Sequence, residues 1–438
     1  MKTVLVLGAG SVSGPCIDYL VRKGGCKLVV ADLSAKNLSH VSRLFPSVET
    51  HAVDVGKDLG NLMDRLKPEV VLNLMPPVFM FEVAKKCLER GIHQVHPAYL
   101  DEGTKGLDEA CKKAGLTFIT ELGLDPGIDH MSAASKIRKI HDKGEAVESY
   151  VSNCGALPAA EANTNPWGYK LSWSPESLIG ASKRTARVLL DGKECYWPDG
   201  ETYEFTKLYE VPGLGAFEVY ANNDSVPYKA FYGIPEAKTI YRGTIRYIGW
   251  GETICQMNRI DFFGDEKQNT KGLSFADFTA RQAGGTGCPR EALMKKLSIP
   301  VWSTVLLRME WLGFFDDRPL PFDEGSPRDV VTALFEEKLV FEPDERDLIV
   351  LCDEIKTVDA SGRKKTYTST LIDYGVPGKW SAIARTTGVP PAIAAKLVLD
   401  GKIDVPGVHV PTIPEIYEPV LAELREENIR FQEQEFEG

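Results

Sequence analysis

Short apolar segments alternate with segments of helical periodicity from Thr3 to Thr120, and this alternation restricts the fold more than any other feature of the chain. Such spacing predicts parallel strands joined by right-handed helical crossovers, and hence an α/β fold with a doubly wound parallel sheet. Ligands of such sheets bind at the carboxyl ends of the strands. The predicted strands are Thr3–Leu7, Lys27–Ala31, Thr50–Val53, Glu69–Leu74, Gln94–His96 and Leu116–Thr120. The predicted helices are Gly14–Lys23, Ser34–Leu44, Leu59–Leu66, Phe79–Arg90 and Asp101–Ala114.

A glycine-rich loop follows the first predicted strand, with the sequence Gly8-Ala9-Gly10-Ser11-Val12-Ser13-Gly14. One glycine permits the tight turn, the second lets the backbone approach a pyrophosphate, and the helix that begins here offers unpaired N–H donors. Asp32 ends the second strand, where an acid accepts hydrogen bonds from the ribose hydroxyls of adenosine. The alternative is that Asp32 only caps the next helix.

Strand, glycines, helix, strand and acid in this order predict a dinucleotide site. A carboxylate at Asp32 would repel a 2′-phosphate, so NAD is expected in preference to NADP. Further cofactor contacts are expected just past the strand ends. The predicted cofactor residues are Gly8, Gly10, Ser11, Val12, Asp32, Asp54, Val55, Met75 and Pro76.

The bulk properties of the chain exclude several classes of protein. Its 438 residues predict two or three domains. A net charge of −11 argues against general nucleic-acid binding. No apolar run reaches the roughly 20 residues that span a bilayer, and the first apolar run is too short for a signal peptide. Nine cysteines without a C-x-x-C pair are typical of reduced thiols, so we expect a cytoplasmic protein without a membrane partner.

After His130 a helix is predicted to about Lys143, and the pattern then changes. Segments rich in β-branched and aromatic residues predict a mixed or antiparallel sheet in a second domain. These predicted strands are Val147–Asn153, Lys207–Val211, Phe217–Tyr220, Arg242–Ile248, Leu348–Ile355 and Thr366–Ile372. The stretches with helical periodicity are Ser274–Phe341, Pro390–Gly401 and Pro414–Phe436.

These patterns predict the domain organisation. We expect a dinucleotide-binding domain over residues 1–128, and a substrate-binding and dimerisation domain over residues 129–272 and 342–390. A helical insertion is expected over residues 273–341, and residues 391–438 are expected to pack back on the first domain.

Several longer segments resemble the glutamate-forming saccharopine dehydrogenases, and they follow one another along nearly the whole chain. They are Ser11–Gly14, Glu121–His130, Cys154–Pro158, Asn165–Ser174, Arg242–Tyr247, Trp311–Gly313, Glu345–Val350 and Leu399–Gly401. The resemblance implies a hydride transfer between a nicotinamide and the carbon of a secondary amine. Oxidation of saccharopine gives an imine, which water splits into L-glutamate and 2-aminoadipate 6-semialdehyde. The resemblance also implies a small-molecule substrate and a homodimer.

Saccharopine has three carboxylates, so its site needs cations and oriented donors. Arg242 and Arg246 are four apart in a predicted strand and therefore point to one face. The resemblance favours Arg246 as the substrate ligand, with Thr244 between the two arginines. The alternative is that both arginines pair with acids of the protein itself. Tyr169 and Trp173 would wall the pocket, or they would only pack in the core.

Two other pairs of residues are assigned to the site. The backbone N–H groups of Cys154 and Gly155, at the end of a predicted strand, would hold a carboxylate. Cys154 is not expected to be a covalent nucleophile, since hydride transfer needs none. Asp125 and Tyr99 are the predicted proton-transfer residues. Asp125 would otherwise cap the helix that begins near Gly127.

The chain departs from the family pattern at two places. Fungal members that use NADP have a Cys-Arg pair where this chain has Asp32-Leu33, which again favours NAD. Asn223 stands where the family has an arginine that binds a substrate carboxylate. This loss would cost roughly 2–5 kcal/mol unless Lys229 or another cation compensates. Otherwise the substrate is a different amino-acid-derived amine, such as a carboxylated polyamine, or the protein binds NAD without catalysis.

A metal ion is not expected. His93 and His96 would face opposite sides of a strand, because side chains alternate along it and the two residues are three apart.

Overall fold

The computed structural model describes residues 2–438, which form two compact units. Unit 1 contains the residues up to Val147, together with Phe231–Gly233 and Thr357–Gly438. Unit 2 contains Glu148–Ala230 and Ile234–Lys356. Within residues 2–438 we find no helix that combines the length and the apolar character needed to cross a bilayer.

The N-terminal part of unit 1 alternates strands and helices, as predicted. Its strands are β1 Thr3–Leu7, β2 Lys27–Asp32, β3 Glu49–Ala52, β4 Val70–Asn73, β5 His93–Val95 and β6 Thr117–Ile119. Its helices are α1 Ser13–Lys23, α2 Ala35–Leu44, α3 Val55–Leu66, α4 Met80–Arg90, α5 Glu102–Lys105, α6 Asp108–Ala114 and α7 Ile128–Asp142.

Unit 2 contains most of the remaining strands. They are β7 Ala146–Pro158, β8 Ala186–Leu190, β9 Lys193–Trp197, β10 Lys207–Val211, β11 Gly215–Ala221, β12 Thr239–Arg246, β13 Gln268–Asn269, β14 Glu324–Gly325 and β15 Asp347–Val358. Its helices are α8 Pro175–Ala181, α9 Tyr228–Phe231, α10 Trp250–Asn258, α11 Phe275–Gln282, α12 Pro289–Leu297, α13 Thr304–Leu312 and α14 Pro327–Lys338. The chain then returns to unit 1 and forms β16 Lys364–Tyr374, α15 Ala382–Leu399, β17 Gly407–His409, α16 Pro414–Glu426 and β18 Gln432–Glu437.

The sheet of unit 1 is parallel and has seven strands in the order β17-β6-β5-β4-β1-β2-β3. The strand order reverses beside β1, which pairs with β2 on one side and β4 on the other. The central strands are fully buried, because helices cover both faces of a doubly wound sheet. The predicted α/β fold with a doubly wound parallel sheet is therefore confirmed.

The structure corrects several predicted elements. The helix α3 begins four residues earlier than predicted, because Asp54 caps it by accepting the N–H of Gly56 at 3.0 Å. The predicted single helix between β5 and β6 is two helices, α5 and α6, which are separated at Gly106 and Leu107. The tail was predicted to end as a helix, but its last segment is the strand β18, which pairs antiparallel with β16.

The helix α15 also begins eight residues before the predicted start at Pro390. Ser381 accepts the N–H of Ala384 at 3.2 Å and caps it, so both Pro390 and Pro391 lie inside the helix. A proline within an apolar helical pattern reads as a first-turn residue, and this explains the error.

Unit 2 contains a mixed sheet in the order β10-β11-β12-β7-β15, with β8 and β9 added beside β12. The strands β11 and β12 are antiparallel, whereas β12 and β7 are parallel. Its core is formed by α10 to α14 together with aromatic side chains such as Trp167 and Trp250, which pack edge to face at 5.8 Å.

The boundaries of the two units differ from those of the predicted domains. The helix α7 belongs to unit 1 and not to the domain predicted to begin at residue 129, and unit 1 resumes at Thr357. The segment Ser274–Phe341 belongs to unit 2, where its helices share one apolar core.

Candidate functional site

The glycine loop lies between β1 and α1, at the point where the strand order reverses. Gly8 has φ 99°, and its N–H donates to the carbonyl of Ala31 at 2.8 Å. A Cβ at Gly8 would stand 3.1 Å from the carbonyl oxygen of Leu74, so a side chain is excluded there. At Gly10 no atom lies within 4 Å of the Cβ position, which leaves open space for a ligand. Ser11 and Val12 precede the first turn of α1, as a phosphate site requires.

The carboxylate of Asp32 is held against this loop. One oxygen accepts the N–H of Ala9 at 2.6 Å, and the other accepts the N–H of Ser34 at 2.6 Å. Ser34, and not Asp32, caps α2 by accepting the N–H of Asn37. The structure therefore assigns the cap to another residue, and Asp32 stays at the strand end beside the glycine loop. The glycine loop and Asp32 fit a dinucleotide.

The other predicted cofactor residues lie at neighbouring strand ends. Asp54 caps α3 and forms an ion pair with Lys57 at 3.0 Å, and the side chain of Val55 is buried in the core. The N–H of Met75 donates to the side chain of Asn73 at 3.1 Å, and Pro76 begins the following turn. These four residues would meet a cofactor mainly through their backbone.

A cavity of about 640 Å³ opens beside the glycine loop and is lined by α2 and Trp380. The ring of Trp380 stacks on Phe45 with centroids 6.4 Å apart. The cavity also has a basic side, where Arg43 donates to Nδ1 of His40 at 2.7 Å and Lys36 is exposed. Trp380 was not predicted to line this cavity, because it is far from the glycine loop along the chain.

The tract Glu121–His130 links β6 to α7. In this tract Asp125 is the one residue that is not buried, and it precedes Pro126 in a tight loop. The N–H of Gly123 donates to the carbonyl of Pro126 at 2.8 Å and closes that loop. Tyr99 is half-buried in the turn after β5, whose neighbouring strand is β6. Both predicted proton-transfer residues thus lie at the carboxyl edge of the same sheet.

In unit 2 a buried guanidinium is surrounded by aromatic rings. Arg246 ends β12, is 6% exposed, and lies over Tyr169 at 5.0 Å and Trp250 at 5.7 Å. Its Nε has no hydrogen-bond partner within residues 2–438. Burial lowers the pKa of Arg246, but the phenols of Tyr220 and Tyr169 oppose this, and the net pKa is raised. The group therefore stays charged.

The predicted pocket wall is present beside this cation. Trp173 donates through its indole N–H to the hydroxyl of Tyr169 at 2.7 Å, and burial raises the pKa of that phenol. Thr244 is half-buried on the same strand as Arg246 and pairs with Tyr220. Arg242 is buried over the ring of Tyr228 at 4.4 Å.

One predicted strand end is corrected. Cys154 and Gly155 were predicted to end a strand, but β7 continues to Pro158 and Cys154 pairs with Thr244 inside the sheet. A Cβ at Gly155 would stand 2.8 Å from the side chain of Ile245, so this glycine is needed for packing between strands. Cys154 is 8% exposed.

Asn223 lies in the loop after β11 with φ 57° and is half-buried. Its carbonyl accepts the N–H of Arg187 at 3.0 Å, and the guanidinium of Arg187 pairs with Asp224 at 2.9 Å. The guanidinium of Arg187 is thus already engaged by an acid, and the backbone N–H of Lys229 donates to the carbonyl of Val226 at 3.2 Å.

Two family models together match most of the chain. The model described as saccharopine dehydrogenase NADP binding domain matches residues 4–119, and that described as saccharopine dehydrogenase C-terminal domain matches residues 123–429. The chain belongs to the saccharopine dehydrogenase family. It is therefore an oxidoreductase with a nicotinamide dinucleotide-binding domain, and the resemblance seen in the sequence is confirmed.

Known proteins match this chain over nearly its whole length. A saccharopine dehydrogenase (NADP(+), L-glutamate-forming) of Pyricularia oryzae is 34% identical, over 97% of each chain. The mitochondrial alpha-aminoadipic semialdehyde synthase of Rattus norvegicus is 35% identical over 99% of this chain and 48% of its own length. The structure of apo saccharopine dehydrogenase (L-Glu forming) from Saccharomyces cerevisiae superposes with a TM-score of 0.90 at 33% identity, covering 100% of both chains.

Proposed function

We propose that this protein is an NAD-dependent saccharopine dehydrogenase, which oxidises saccharopine to L-glutamate and 2-aminoadipate 6-semialdehyde or catalyses the reverse reaction. The observation that favours it most is the buried cation of Arg246. A charge removed from water is costly unless an anion pairs with it, and Nε of this guanidinium has no partner within the described residues. A substrate carboxylate supplies that anion, and a guanidinium binds carboxylates through two parallel hydrogen bonds.

The residues of the chain have separate roles in this proposal. Tyr169 and Trp173 form the aromatic wall that excludes water from the carboxylate of the substrate, and Arg246 orients it. Asp125 and Tyr99 accept and return the protons of the amine and of the water that splits the imine. A dinucleotide held by the glycine loop and Asp32 would supply the nicotinamide that takes the hydride from the oxidised carbon. The protein acts as a homodimer, as the resemblance implies.

The preference for NAD rests on Asp32. Its oxygens accept one backbone N–H each at 2.6 Å, and each keeps acceptor capacity for a ribose hydroxyl. Lys36 and Arg43 on the neighbouring cavity favour the opposite choice, since they would attract the 2′-phosphate of NADP. Asp32 is hydrogen-bonded to the glycine loop through the N–H of Ala9, whereas Lys36 and Arg43 are exposed, so we expect its repulsion of a phosphate to decide the balance.

A second candidate substrate is an amino-acid-derived secondary amine that lacks one carboxylate of saccharopine. Asn223 favours it, because the amide is uncharged and the adjacent Arg187 is bound to Asp224.

The test is the initial rate of saccharopine oxidation with NAD and with NADP, followed at about 340 nm, where the reduced nicotinamide absorbs. We expect saccharopine to be oxidised when either cofactor is supplied alone, with a higher kcat/KM for NAD. A higher kcat/KM with NADP contradicts the role of Asp32. No turnover of saccharopine, together with turnover of a carboxylated polyamine by the same preparation, would replace the first candidate by the second.

A further inference from the structure

The tract Glu121–His130 contains a buried carboxylate that has no role among the proposed cofactor and substrate contacts. Glu121 is 4% exposed. Its φ of 53° is left-handed, which costs a residue with a side chain about 1 kcal/mol. A buried acid in an unfavourable backbone conformation persists only where its contacts hold it there, and such sites cluster around catalytic centres.

Two hydrogen bonds from Glu121 enclose Tyr99. The backbone N–H of Glu121 donates to the carbonyl of Ala98 at 2.9 Å. Its Oε1 accepts the backbone N–H of Leu100 at 2.9 Å. The residues on both sides of Tyr99 are thus hydrogen-bonded to the same glutamate. These bonds fix the backbone at Tyr99 and so the direction of its side chain.

The other oxygen of Glu121 is held by a buried imidazole. Oε2 lies 2.9 Å from Nε2 of His130, and Nδ1 of His130 lies 2.7 Å from the hydroxyl of Tyr232. The His130 side chain is fully buried. An ionised carboxylate only accepts, so Nε2 carries a proton and donates it to Oε2 of Glu121. Nδ1 faces the hydroxyl of Tyr232 and, at 3.6 Å, the carboxylate of Asp129. His130 lies in the first turn of α7, which begins at Ile128.

The same helix start closes the loop that presents Asp125. The N–H of Ile128 donates to the carbonyl of Gly123 at 2.9 Å. The carboxylate of Asp129 accepts the N–H of Gly127 at 2.6 Å. The pair of Glu121 and His130 therefore joins the turn that carries Tyr99 to the helix that carries the Asp125 loop.

We propose that Glu121 is a positioning residue, which holds the segments of Tyr99 and Asp125 in the relative position that proton transfer needs. Proton transfer requires donor and acceptor within hydrogen-bond reach, and a displacement of 1 Å can lower a rate by about 100-fold. This inference rests on the proposed function, because the rate to be measured is that of saccharopine oxidation.

Glu121→Ala and Glu121→Gln separate this role from others. Glu121→Ala removes the side-chain hydrogen bonds to Leu100 and His130, so we expect kcat to fall by about 100-fold with the KM for NAD unchanged. In Glu121→Gln the amide oxygen still accepts from Leu100, and the amide NH₂ donates to Nε2 of His130. The imidazole proton then moves to Nδ1 and is donated to Tyr232. Positioning is kept, and kcat is expected to stay within about threefold of the unaltered protein.

Glu145→Ala is the matched control. Glu145 is 6% exposed in the same unit and accepts hydrogen bonds from Thr357 at 2.6 Å and Tyr367 at 2.9 Å, away from the tract. Its loss is expected to lower the melting temperature while kcat is kept. The proposal is overturned if Glu121→Ala keeps full kcat, or if Glu121→Gln loses as much kcat as Glu121→Ala.

Two further measurements keep the test decisive. If Glu121→Ala does not fold, His130→Asn, whose side chain is too short to reach Oε2 of Glu121, is expected to lower kcat about tenfold, and an unchanged kcat overturns the proposal. Hydrogen exchange of the Leu100 amide needs no substrate. It is expected to be at least about tenfold faster in Glu121→Ala but not in Glu121→Gln. Absence of saccharopine turnover in the unaltered protein would contradict the proposed function alone, whereas unchanged Leu100 exchange in Glu121→Ala would contradict this inference.

Discussion

The buried imidazole of His96 is predicted to make the stability of unit 1 depend on pH. His96 follows β5 and is 1% exposed. Burial lowers its pKa from 6.5 to about 4, although the carboxylates of Asp101 and Glu121 act in the opposite direction. The unfolded chain therefore binds a proton below pH 6.5, whereas the folded chain binds it only near pH 4. The free energy of unfolding falls as the pH decreases through this window and is fully restored above it.

The magnitude follows from these two values. A pKa that falls from 6.5 to about 4 corresponds to about 3 kcal/mol of unfolding free energy when the full window is crossed. At about pH 4.5, where most of the window has been crossed, the loss relative to about pH 7.5 is about 2.5 kcal/mol. His96→Asn has no group that titrates here, so it lacks this part of the acid destabilisation.

The assay is urea unfolding, followed by far-ultraviolet circular dichroism, of the unaltered protein and His96→Asn at both pH values. The difference in unfolding free energy between the two proteins should change by about 2.5 kcal/mol between the two pH values, because the contributions of groups that do not interact with His96 cancel. His141→Asn, at an exposed position of α7, is the control and should follow the unaltered protein. The reasoning is refuted if the difference is independent of pH, or if the ring of His96 titrates near pH 6.5 by NMR.

Three further variants test the site and its packing. Asp32→Asn is expected to lower kcat/KM with NAD by about 10- to 100-fold, because a charged hydrogen-bond acceptor is lost, and an unchanged NAD to NADP ratio in initial rates would contradict the assignment. Arg246→Met should lower kcat/KM for saccharopine by at least about 30-fold, corresponding to 2–5 kcal/mol, while Arg259→Met at the exposed end of α10 should not. Gly14→Ala should lower the free energy of unfolding by about 1–3 kcal/mol in urea titrations, because a Cβ there would stand 2.2 Å from the ring of Trp380; equal stability would show that the ring moves aside.

The fold class and the dinucleotide site were readable from the sequence, because both depend on local properties. Buried parallel strands need continuous apolar runs, and the turn at Gly8 needs a positive φ that glycine adopts readily. The family, too, was recognisable from segments such as Glu121–His130. Errors were concentrated where a local signal was ambiguous. Pro390 looked like the start of a helix, although Ser381 caps that helix earlier.

Only the tertiary structure brought distant segments together. The strand β17 joins the first sheet beside β6, although nearly the whole of unit 2 separates the two along the chain. Trp380 packs against Gly14, and Tyr232, from a three-residue segment of unit 1, reaches His130. Periodicity and turn chemistry report on residues within one element. Contacts between elements depend on how apolar faces pack and on which groups hydrogen-bond to buried polar atoms. The spacing of residues along the chain determines neither.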